Sequence, residues 1–211
     1  MTQLQAINIA KITTVFALAI PVLWLGLDGT RVVVYLALQI SYCLWWIVEQ
    51  WLFPDRPEQL FRERVTPLGT VFTVAYVGLF FALPGWLAMA NPLQQPAAIT
   101  LAAAIGLFSF GSLINTGADV QKGTAKRLGV ALVCDGAWRR LRHVNYLGDL
   151  LRYSSFALLA GSAWAWLLPL SVLLVYVQRI RAREQAMADR GESEAYAAWL
   201  ARSWRLLPGL W

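Results

Sequence analysis

Residues Leu68–Met89 read LGTVFTVAYVGLFFALPGWLAM, a run of 22 residues without a charged side chain. A helix needs about 20 apolar residues to cross the hydrocarbon core of a bilayer, where every backbone polar group must be bonded within the helix. Pro21 and Pro84 fall inside such runs, and we expect each to kink or end its helix locally. The sequence predicts four transmembrane helices, over this run and over Ile9–Leu27, Val32–Phe53 and Ala97–Asn115.

A further apolar stretch, Leu147–Val177, is too long for one ordinary span. The small residues 160–162 interrupt it, so we predict two helices joined by a tight turn, Leu147–Leu159 and Ala163–Val177. One tilted helix is the alternative. The predicted fold class is all-α, a polytopic integral membrane protein of five to six transmembrane helices.

The composition excludes several classes of protein. Of the 211 residues, 58% are hydrophobic and 14% charged, whereas soluble domains carry roughly 45–50% apolar and about 25% charged residues. An ordinary soluble domain and a disordered chain are both excluded. One His and two Cys are too few for a tetrahedral zinc site or an iron–sulfur cluster, so we expect no metal centre.

The net charge of +6 would suit a nucleic-acid-binding protein, but the positions of the cations favour a membrane explanation. If the last two helices form a hairpin, all the basic segments fall on one side of the membrane, and the opposite loops hold only Arg31. The positive-inside rule then predicts that the basic segments and both termini lie in the cytoplasm. Because this topology accounts for the cations, we expect no nucleic-acid partner. The cations of these segments are Arg56, Arg62, Arg64, Lys122, Lys126, Arg127, Arg139, Arg140, Arg142, Arg179, Arg181, Arg183, Arg190, Arg202 and Arg205.

Two polar segments, 117–149 and 179–211, flank the predicted hairpin and would meet at one membrane face. A cationic pocket at a membrane surface suits an anionic or phosphorylated cofactor, because arginine binds phosphate through two hydrogen bonds. The alternative is a non-enzymatic basic face that binds anionic lipid or a partner subunit. The stretch 122–142 holds six Lys or Arg against one carboxylate, Asp135, which favours a phosphorylated ligand.

Within 142–149, RHVNYLGD, the polar side chains have helical spacing. Arg142 and Tyr146 are four residues apart, so they share one helix face. Asp149 enters the apolar stretch, where an ionisable group is a functional candidate by default. The alternative is an ion pair of Asp149 with Arg152 or Arg183, and a hydrogen-bonded structural role is the alternative for His143.

Residues 142–151, RHVNYLGDLL, resemble the RHPNYLGD signature of the membrane sterol reductases, the C-14 and C-24(28) reductase family. Three other motifs are also similar to motifs of that family. They are the DVQK of Asp119–Lys122, the GAW of Gly136–Trp138, and a basic tail from Arg179 through Gly191 and Tyr196 to the LPGLW of Leu207–Trp211. The resemblance covers residues 117–211.

The superfamily to which this resemblance points also contains the steroid 5α-reductases and the isoprenylcysteine carboxyl methyltransferases. Its reductases bind NADPH in this region, and its methyltransferases bind S-adenosylmethionine. The Gln121-Lys122 pair and the NYLGD run favour a reductase, whereas Val144 stands in place of the usual Pro and Arg190 in place of a common aromatic.

The resemblance implies NADPH-dependent reduction of a carbon–carbon double bond in a membrane-embedded lipid, such as a sterol, steroid or isoprenoid-like molecule, that enters laterally from the bilayer. The alternative is an S-adenosylmethionine-dependent methyltransferase of the isoprenylcysteine carboxyl or phospholipid methyltransferase type. We expect one membrane domain over residues 1–211, in which residues 1–116 face the lipid substrate and residues 117–211 hold the cofactor.

The same resemblance implies a set of cofactor-binding residues. Those assigned to the phosphates are Lys122, Arg127, Arg142 and Arg183. Those assigned to the ribose and nicotinamide are Asn145, Tyr146 and Asp149, and Tyr146 is also a candidate catalytic residue. The remaining members are Trp138, His143, Glu184 and Tyr196; in the methyltransferase alternative, His143 and Glu184 would lie near the amino-acid and sulfonium end.

Reduction of an alkene also needs a proton donor on the other side of the double bond. Glu49 is the acidic side chain embedded in the N-terminal apolar runs, and it is followed by Gln50. This pair resembles, in reversed order, a Gln-Glu pair of the steroid 5α-reductases, so Glu49 is the candidate catalytic acid. The alternative is a helix-end Glu paired with Arg56 or Arg62.

Overall fold

The computed structural model describes residues 1–54, 61–91, 95–188 and 194–211. Its regular elements are helices, and five of them are long and apolar enough to cross a membrane. The chain is therefore an all-helical, multi-pass membrane protein, as the sequence predicts. Three residues used in the predictions, Arg56, Arg190 and Gly191, lie outside the described residues.

The helices are α1 Gln3–Leu25, α2 Thr30–Leu52, α3 Pro67–Met89, α4 Ala98–Arg127, α5 Val144–Ala160, α6 Leu167–Ala188 and α7 Glu194–Ala201. Within α3, Val74–Phe80 is π-helical, and short 3-10 turns cover Gly136–Trp138 and Ala163–Trp166. The candidate spans are α1, α2, α3, α4 and the segment Ala163–Ala186.

The apolar stretch 147–177 forms two helices, α5 and α6, so the alternative of one tilted helix is wrong. The chain turns at Gly161, whose φ of +65° is a conformation that favours glycine. Pro21 and Pro84 lie inside α1 and α3, and neither ends its helix at that point.

Helix α4 extends well beyond the predicted end at Asn115, because it continues to Arg127. Part of the segment that we predicted as a cytoplasmic connection is therefore helical. Residues 118–127 include Ala, Gln, Lys and Arg, which are good helix formers, and Lys126 and Arg127 in the last turn complement the helix dipole. The helix ends before Gly129, whose φ is +78° and whose N–H bonds back to the Lys126 carbonyl.

The chain divides into two compact units, of which unit 1 comprises Met1–Ile105 and Ser154–Leu168. Small residues such as Ala6, Ala10 and Ala82 are fully buried there and allow helices to approach closely. Larger side chains fill the rest of this core, and the Tyr35 and Phe156 rings lie 5.6 Å apart. Exposed apolar side chains on the spans form the surface that lipid covers.

Arg31, the one cation that the sequence places on the side opposite the basic segments, has a structural role in unit 1. Its Nη1 donates to the Leu159 carbonyl at 3.0 Å, and the Asn91 amide donates to the Ala160 carbonyl at 2.8 Å. The last carbonyls of a helix have no partner within that helix. Arg31 and Asn91 therefore cap the C-terminal end of α5.

Unit 2 comprises Gly106–Tyr153 and Pro169–Trp211. The C-terminal tail pairs with the chain before α5, because the Arg142 N–H donates to the Trp204 carbonyl and the His143 N–H to the Arg205 carbonyl. The buried apolar cluster of this unit consists of Ala118, Val133, Trp138, Val144, Tyr196 and Trp199. The single-domain organisation over residues 1–211 stays a prediction.

Candidate cofactor site

The predicted motifs of unit 2 are joined by side-chain hydrogen bonds. The Asn145 amide on α5 donates to the Asp119 carboxylate on α4 at 3.1 Å, and the Asn115 amide donates to the Asn145 carbonyl at 2.9 Å. Gln121 joins the DVQK and GAW motifs, because its amide donates to Asp135 and its carbonyl oxygen accepts from the Ala137 N–H at 3.0 Å. Motifs that are distant in sequence therefore form one assembly.

Two glycines allow α4 and α5 to cross closely enough for these bonds. A Cβ built on Gly111 would lie 2.5 Å from the Gly148 carbonyl oxygen, and one built on Gly148 would lie 2.6 Å from the Gly111 carbonyl oxygen. Both distances are far below van der Waals contact. Gly148, the glycine of the RHVNYLGD motif, is therefore required for helix packing.

Trp138 and Tyr196, both predicted to bind the cofactor, lie in the apolar core of unit 2. Trp138 is 2% exposed, and its indole N–H donates to the Ala118 carbonyl at 3.0 Å. The Lys122 ammonium lies over the Trp138 ring, 4.3 Å from its centroid. The indole ring therefore stabilises the Lys122 ammonium through a cation–π contact. The assignment of Trp138 and Tyr196 to the cofactor stays a prediction.

Glu184 lies between two arginines. Its carboxylate is 2.7 Å from Nε of Arg205 and 3.6 Å from Nε of Arg142. One carboxylate thus orients two guanidinium groups and leaves a surplus of positive charge. Arg205 was not among the predicted site residues, and its place in a basic tail gave no signal that separated it from its neighbours.

His143 is buried, and several of these cations act on it electrostatically. Burial lowers the pKa of His143 from 6.5 to about 3, with further lowering by the charges of Arg183, Lys122, Arg142 and Arg205. The imidazole is therefore neutral at physiological pH. The charges of three predicted phosphate ligands, Lys122, Arg142 and Arg183, all act on this imidazole; we call these three and Arg205 the His143 cluster.

Arg127, the fourth cation of the predicted phosphate set, is exposed, and so is Arg183. Arg127 lies at the end of α4, with Nη2 3.5 Å from the Thr124 hydroxyl. Arg183 lies on α6, and its charge acts on both His143 and Lys122. Arg183 makes no ion pair with any residue that the structure describes. Its guanidinium is therefore available to a ligand.

Three rings form a stack beside the His143 cluster. The His143 and Tyr146 rings are 5.3 Å apart and nearly parallel, and the Tyr146 and Tyr176 rings are 4.0 Å apart at 8°. Tyr146 thus has both ring faces covered, so its hydroxyl is the part that can meet a ligand. Within the described ranges, no hydrogen bond uses that hydroxyl.

Asp149 lies one turn after Tyr146 on α5, and its carboxylate already has two partners. Its carboxylate forms an ion pair with Arg152 and accepts a hydrogen bond from the Tyr176 hydroxyl at 2.6 Å. The ion pair with Arg152 was the alternative interpretation of Asp149 in the sequence. A role of Asp149 in positioning the ribose or nicotinamide stays a prediction.

Glu49 belongs to unit 1 and is 5% exposed. The neighbouring Gln50 exchanges hydrogen bonds with Asn8 at 3.0 Å in both directions, and Asn8 also accepts from the Trp46 indole at 2.7 Å. A buried carboxyl at this position fits an acid that is shielded from water. The sequence analysis missed Lys11, which is also buried in this unit; a lone cation inside an apolar run was the available signal.

The chemistry of the His143 cluster fits NADPH. The charges of four cations act on a neutral imidazole, and one carboxylate, Glu184, offsets part of their charge. Like charges held together repel one another, so an anionic ligand would stabilise them. Guanidinium groups match the geometry of phosphate oxygens, and the guanidinium of Arg183 is exposed.

Comparisons with known proteins show what the chain is similar to. A family described as "Protein of unknown function (DUF1295)" matches residues 29–203. The Delta(14)-sterol reductase of Arabidopsis thaliana is 28% identical over 165 residues, which is 71% of this chain and 44% of that protein. The chain thus matches less than half the length of that relative. The match of the family to residues 29–203 shows that the chain belongs to the DUF1295 family.

Proposed function

We propose that this protein is an NADPH-dependent membrane reductase that saturates a carbon–carbon double bond of a lipid. The observation that carries the proposal is the His143 cluster, in which the charges of cations from α4, α6, the chain before α5 and the C-terminal tail all act on a buried neutral imidazole. The similarity to a sterol reductase supports the same assignment. The substrate would be a sterol, a steroid or an isoprenoid-like lipid that enters laterally from the bilayer.

Lys122, Arg142 and Arg183 would hold the cofactor phosphates. Lys122 is fixed over the Trp138 ring, and Arg142 is oriented by Glu184, so both cations are held in place before a ligand binds. Preorganised donors bind more tightly because less side-chain freedom is lost on binding. Arg127 at the end of α4 would add a more distant contact, and Arg205 would join the phosphate set.

Neutral His143 and the Tyr146 hydroxyl would contact the uncharged part of the cofactor. A neutral imidazole offers one donor and one acceptor, which suits a ribose hydroxyl. The stack with Tyr176 fixes the Tyr146 ring, so the hydroxyl has a defined position. Asn145, held by Asp119, would keep the start of α5 in register with α4.

When bound, NADPH supplies the hydride. Reduction of an alkene then needs one proton at the other carbon, and we assign this proton to the Glu49 carboxyl, which would take up a replacement proton from water. Burial at 5% exposure limits competing exchange with bulk water. Replacement of Glu49 by Gln removes the proton and keeps the shape, so it tests this assignment.

The basic segments would face the cytoplasm, where NADPH is available. If α5 crosses the membrane in addition to the five candidate spans, the positive-inside rule places both termini on that side. Arg31 would lie on the opposite side, but its guanidinium donates to the Leu159 carbonyl near the end of α5, so its position has a structural reason and does not argue against this orientation. Reporter fusions at each terminus would test the orientation.

Parallel calorimetric titrations of the detergent-purified protein with NADPH, NADH and S-adenosylmethionine test the function. We expect NADPH to bind most tightly, because it carries one phosphate more than NADH. S-Adenosylmethionine has no phosphate and a positive sulfonium, so the surplus cations disfavour it. Binding of S-adenosylmethionine alone would refute the reductase assignment and favour the methyltransferase alternative.

A further inference from the structure

A second group of polar side chains lies inside unit 1 and has no role in the proposed cofactor site. Lys11 on α1 is 3% exposed, and its ammonium lies 3.8 Å from the centroid of the Tyr42 ring and 5.4 Å from that of Phe81. Within the residues that the structure describes, Lys11 has no carboxylate partner and no hydrogen-bond acceptor. Aromatic faces attract the cation but do not neutralise its charge.

Gln39 on α2 is a second buried side chain with a donor that lacks an acceptor. It is 1% exposed, and its carbonyl oxygen accepts from the Tyr35 hydroxyl at 3.4 Å. Its Nε2 has no hydrogen-bond partner in the described part of the chain. A buried amide N–H without an acceptor is unfavourable, because no hydrogen bond offsets the loss of its contact with water.

Cys43 connects the two donors in space. It is one helical turn beyond Gln39 on α2, and its thiol interacts with both the Gln39 side chain and the Lys11 charge. A thiol is only a weak acceptor. The buried donors of Lys11 and Gln39 therefore both lie near the Cys43 thiol, and the described residues offer neither of them a stronger acceptor.

We propose that Lys11 and Gln39 together bind the carboxylate of a single-chain lipid inside unit 1. A carboxylate offers two acceptor oxygens, one for each donor, and its charge neutralises the ammonium. A neutral carbonyl or hydroxyl would satisfy the hydrogen bonds but leave the ammonium uncompensated. This lipid is a further ligand, and its binding does not rest on the proposed reductase function.

The π-helical part of α3 packs closely against α1 next to Lys11. The π-helical segment Val74–Phe80 packs against the α1 turn that precedes Lys11, where a Cβ on Gly78 would lie 3.1 Å from the Ala10 carbonyl oxygen. Thr14, one turn further along α1, donates to the Gly78 carbonyl at 3.0 Å. π-Helical turns within membrane and soluble helices occur frequently at functional sites.

Binding of oleate labelled with ¹³C at its carboxyl carbon, measured by NMR in phosphatidylcholine nanodiscs, tests the proposal. We expect a bound carboxylate resonance in the wild type, and at least tenfold weaker binding in Lys11→Met. Lys126→Met, which removes an exposed lysine of unit 2, is the matched control and should bind oleate like the wild type. Methyl oleate, with the same chain and no charge, should not displace the label.

Removal of an uncompensated buried charge should also stabilise the protein without ligand. We expect Lys11→Met to raise the midpoint of thermal unfolding by about 2–4 °C when no oleate is present. Gln39→Leu is a second variant that weakens oleate binding independently, should Lys11→Met fail to fold.

The proposal is overturned if wild type and Lys11→Met bind oleate equally, if methyl oleate competes as well as oleate, or if no bound resonance forms. Titration of the same samples with NADPH separates this proposal from the proposed function. Intact oleate binding without NADPH binding would refute the reductase and leave the lipid site standing. Intact NADPH binding without oleate binding would overturn the lipid site and leave the reductase proposal standing.

Discussion

The amide of Asn145 and the carboxylate of Asp119, 26 residues apart in the chain, form a 3.1 Å hydrogen bond between α5 and α4. This bond joins two of the motifs that define the candidate site. Because the acceptor is a carboxylate, the bond is expected to be stronger than one between neutral groups.

A double-mutant cycle with Asn145→Ala and Asp119→Ala tests this bond. We expect the two losses of unfolding free energy to be less than additive, with a coupling of about 1.5–3 kcal/mol. Denaturant titration of the purified protein in mild detergent measures it. Fully additive losses would show that the bond does not link the helices in solution.

The crossing of α4 and α5 depends on Gly111. We expect Gly111→Ala to destabilise the protein by about 1–3 kcal/mol, because the new methyl group would overlap the Gly148 carbonyl. Gly106→Ala on the same helix is the matched control, since a Cβ at Gly106 has no neighbour within 4 Å. The control should be neutral or slightly stabilising, and equal effects of the two substitutions would contradict the close crossing.

His143, the single histidine of the chain, reports directly on the His143 cluster. With its pKa lowered to about 3, we expect its imidazole NMR signals to stay in the neutral form from pH 8 down to pH 5. NADPH should raise this pKa, because phosphates offset the neighbouring cations; Arg183→Ala should also raise it. A titration midpoint near 6.5 without cofactor would contradict the described environment.

The same shift has a consequence for stability. Because the pKa of His143 is lower in the folded protein than in the unfolded chain, the unfolded chain binds the extra proton as the pH falls below 6.5. The contribution of His143 is therefore fully present above pH 6.5 and is lost progressively toward pH 3. Replacement of His143 by Gln should flatten the dependence of the unfolding midpoint on pH between 4 and 6.5.

Glu49→Gln tests the proposed proton donor. We expect this variant to bind NADPH with wild-type affinity and to lose at least a hundredfold in turnover of a reducible lipid, because an amide cannot supply the proton. Gln50→Glu keeps Glu49 and serves as the neighbouring control. Wild-type turnover in Glu49→Gln would exclude this residue as the acid.

The spans could be predicted from sequence because bilayer thickness fixes helix length and leaves a continuous apolar run. The end of α4 could not, since residues 116–127 are polar enough for a loop and become helical by propensity and packing. The turn at Gly161 was readable because small residues interrupted an overlong apolar stretch.

The candidate site was predictable only as a set of motifs. The spacing of the motifs does not indicate that Gly148 allows two helices to pack closely. It also does not indicate that the ring of Trp138, in the core, contacts the ammonium of Lys122. Arg205 is one of many basic residues, and its place beside Glu184 follows from the pairing of the C-terminal tail with residues 140–143. These contacts join distant segments, so local pattern does not reveal them.

The most direct test of the central claim compares NADPH binding by Arg183→Ala and Arg181→Ala. Both arginines are exposed on α6, but Arg183 acts on His143, whereas Arg181 is two residues away and lies toward another face of the helix. Calorimetry should show NADPH binding weakened at least tenfold in Arg183→Ala and unchanged in Arg181→Ala. Equal affinity in both variants and the wild type would contradict a phosphate site in the His143 cluster.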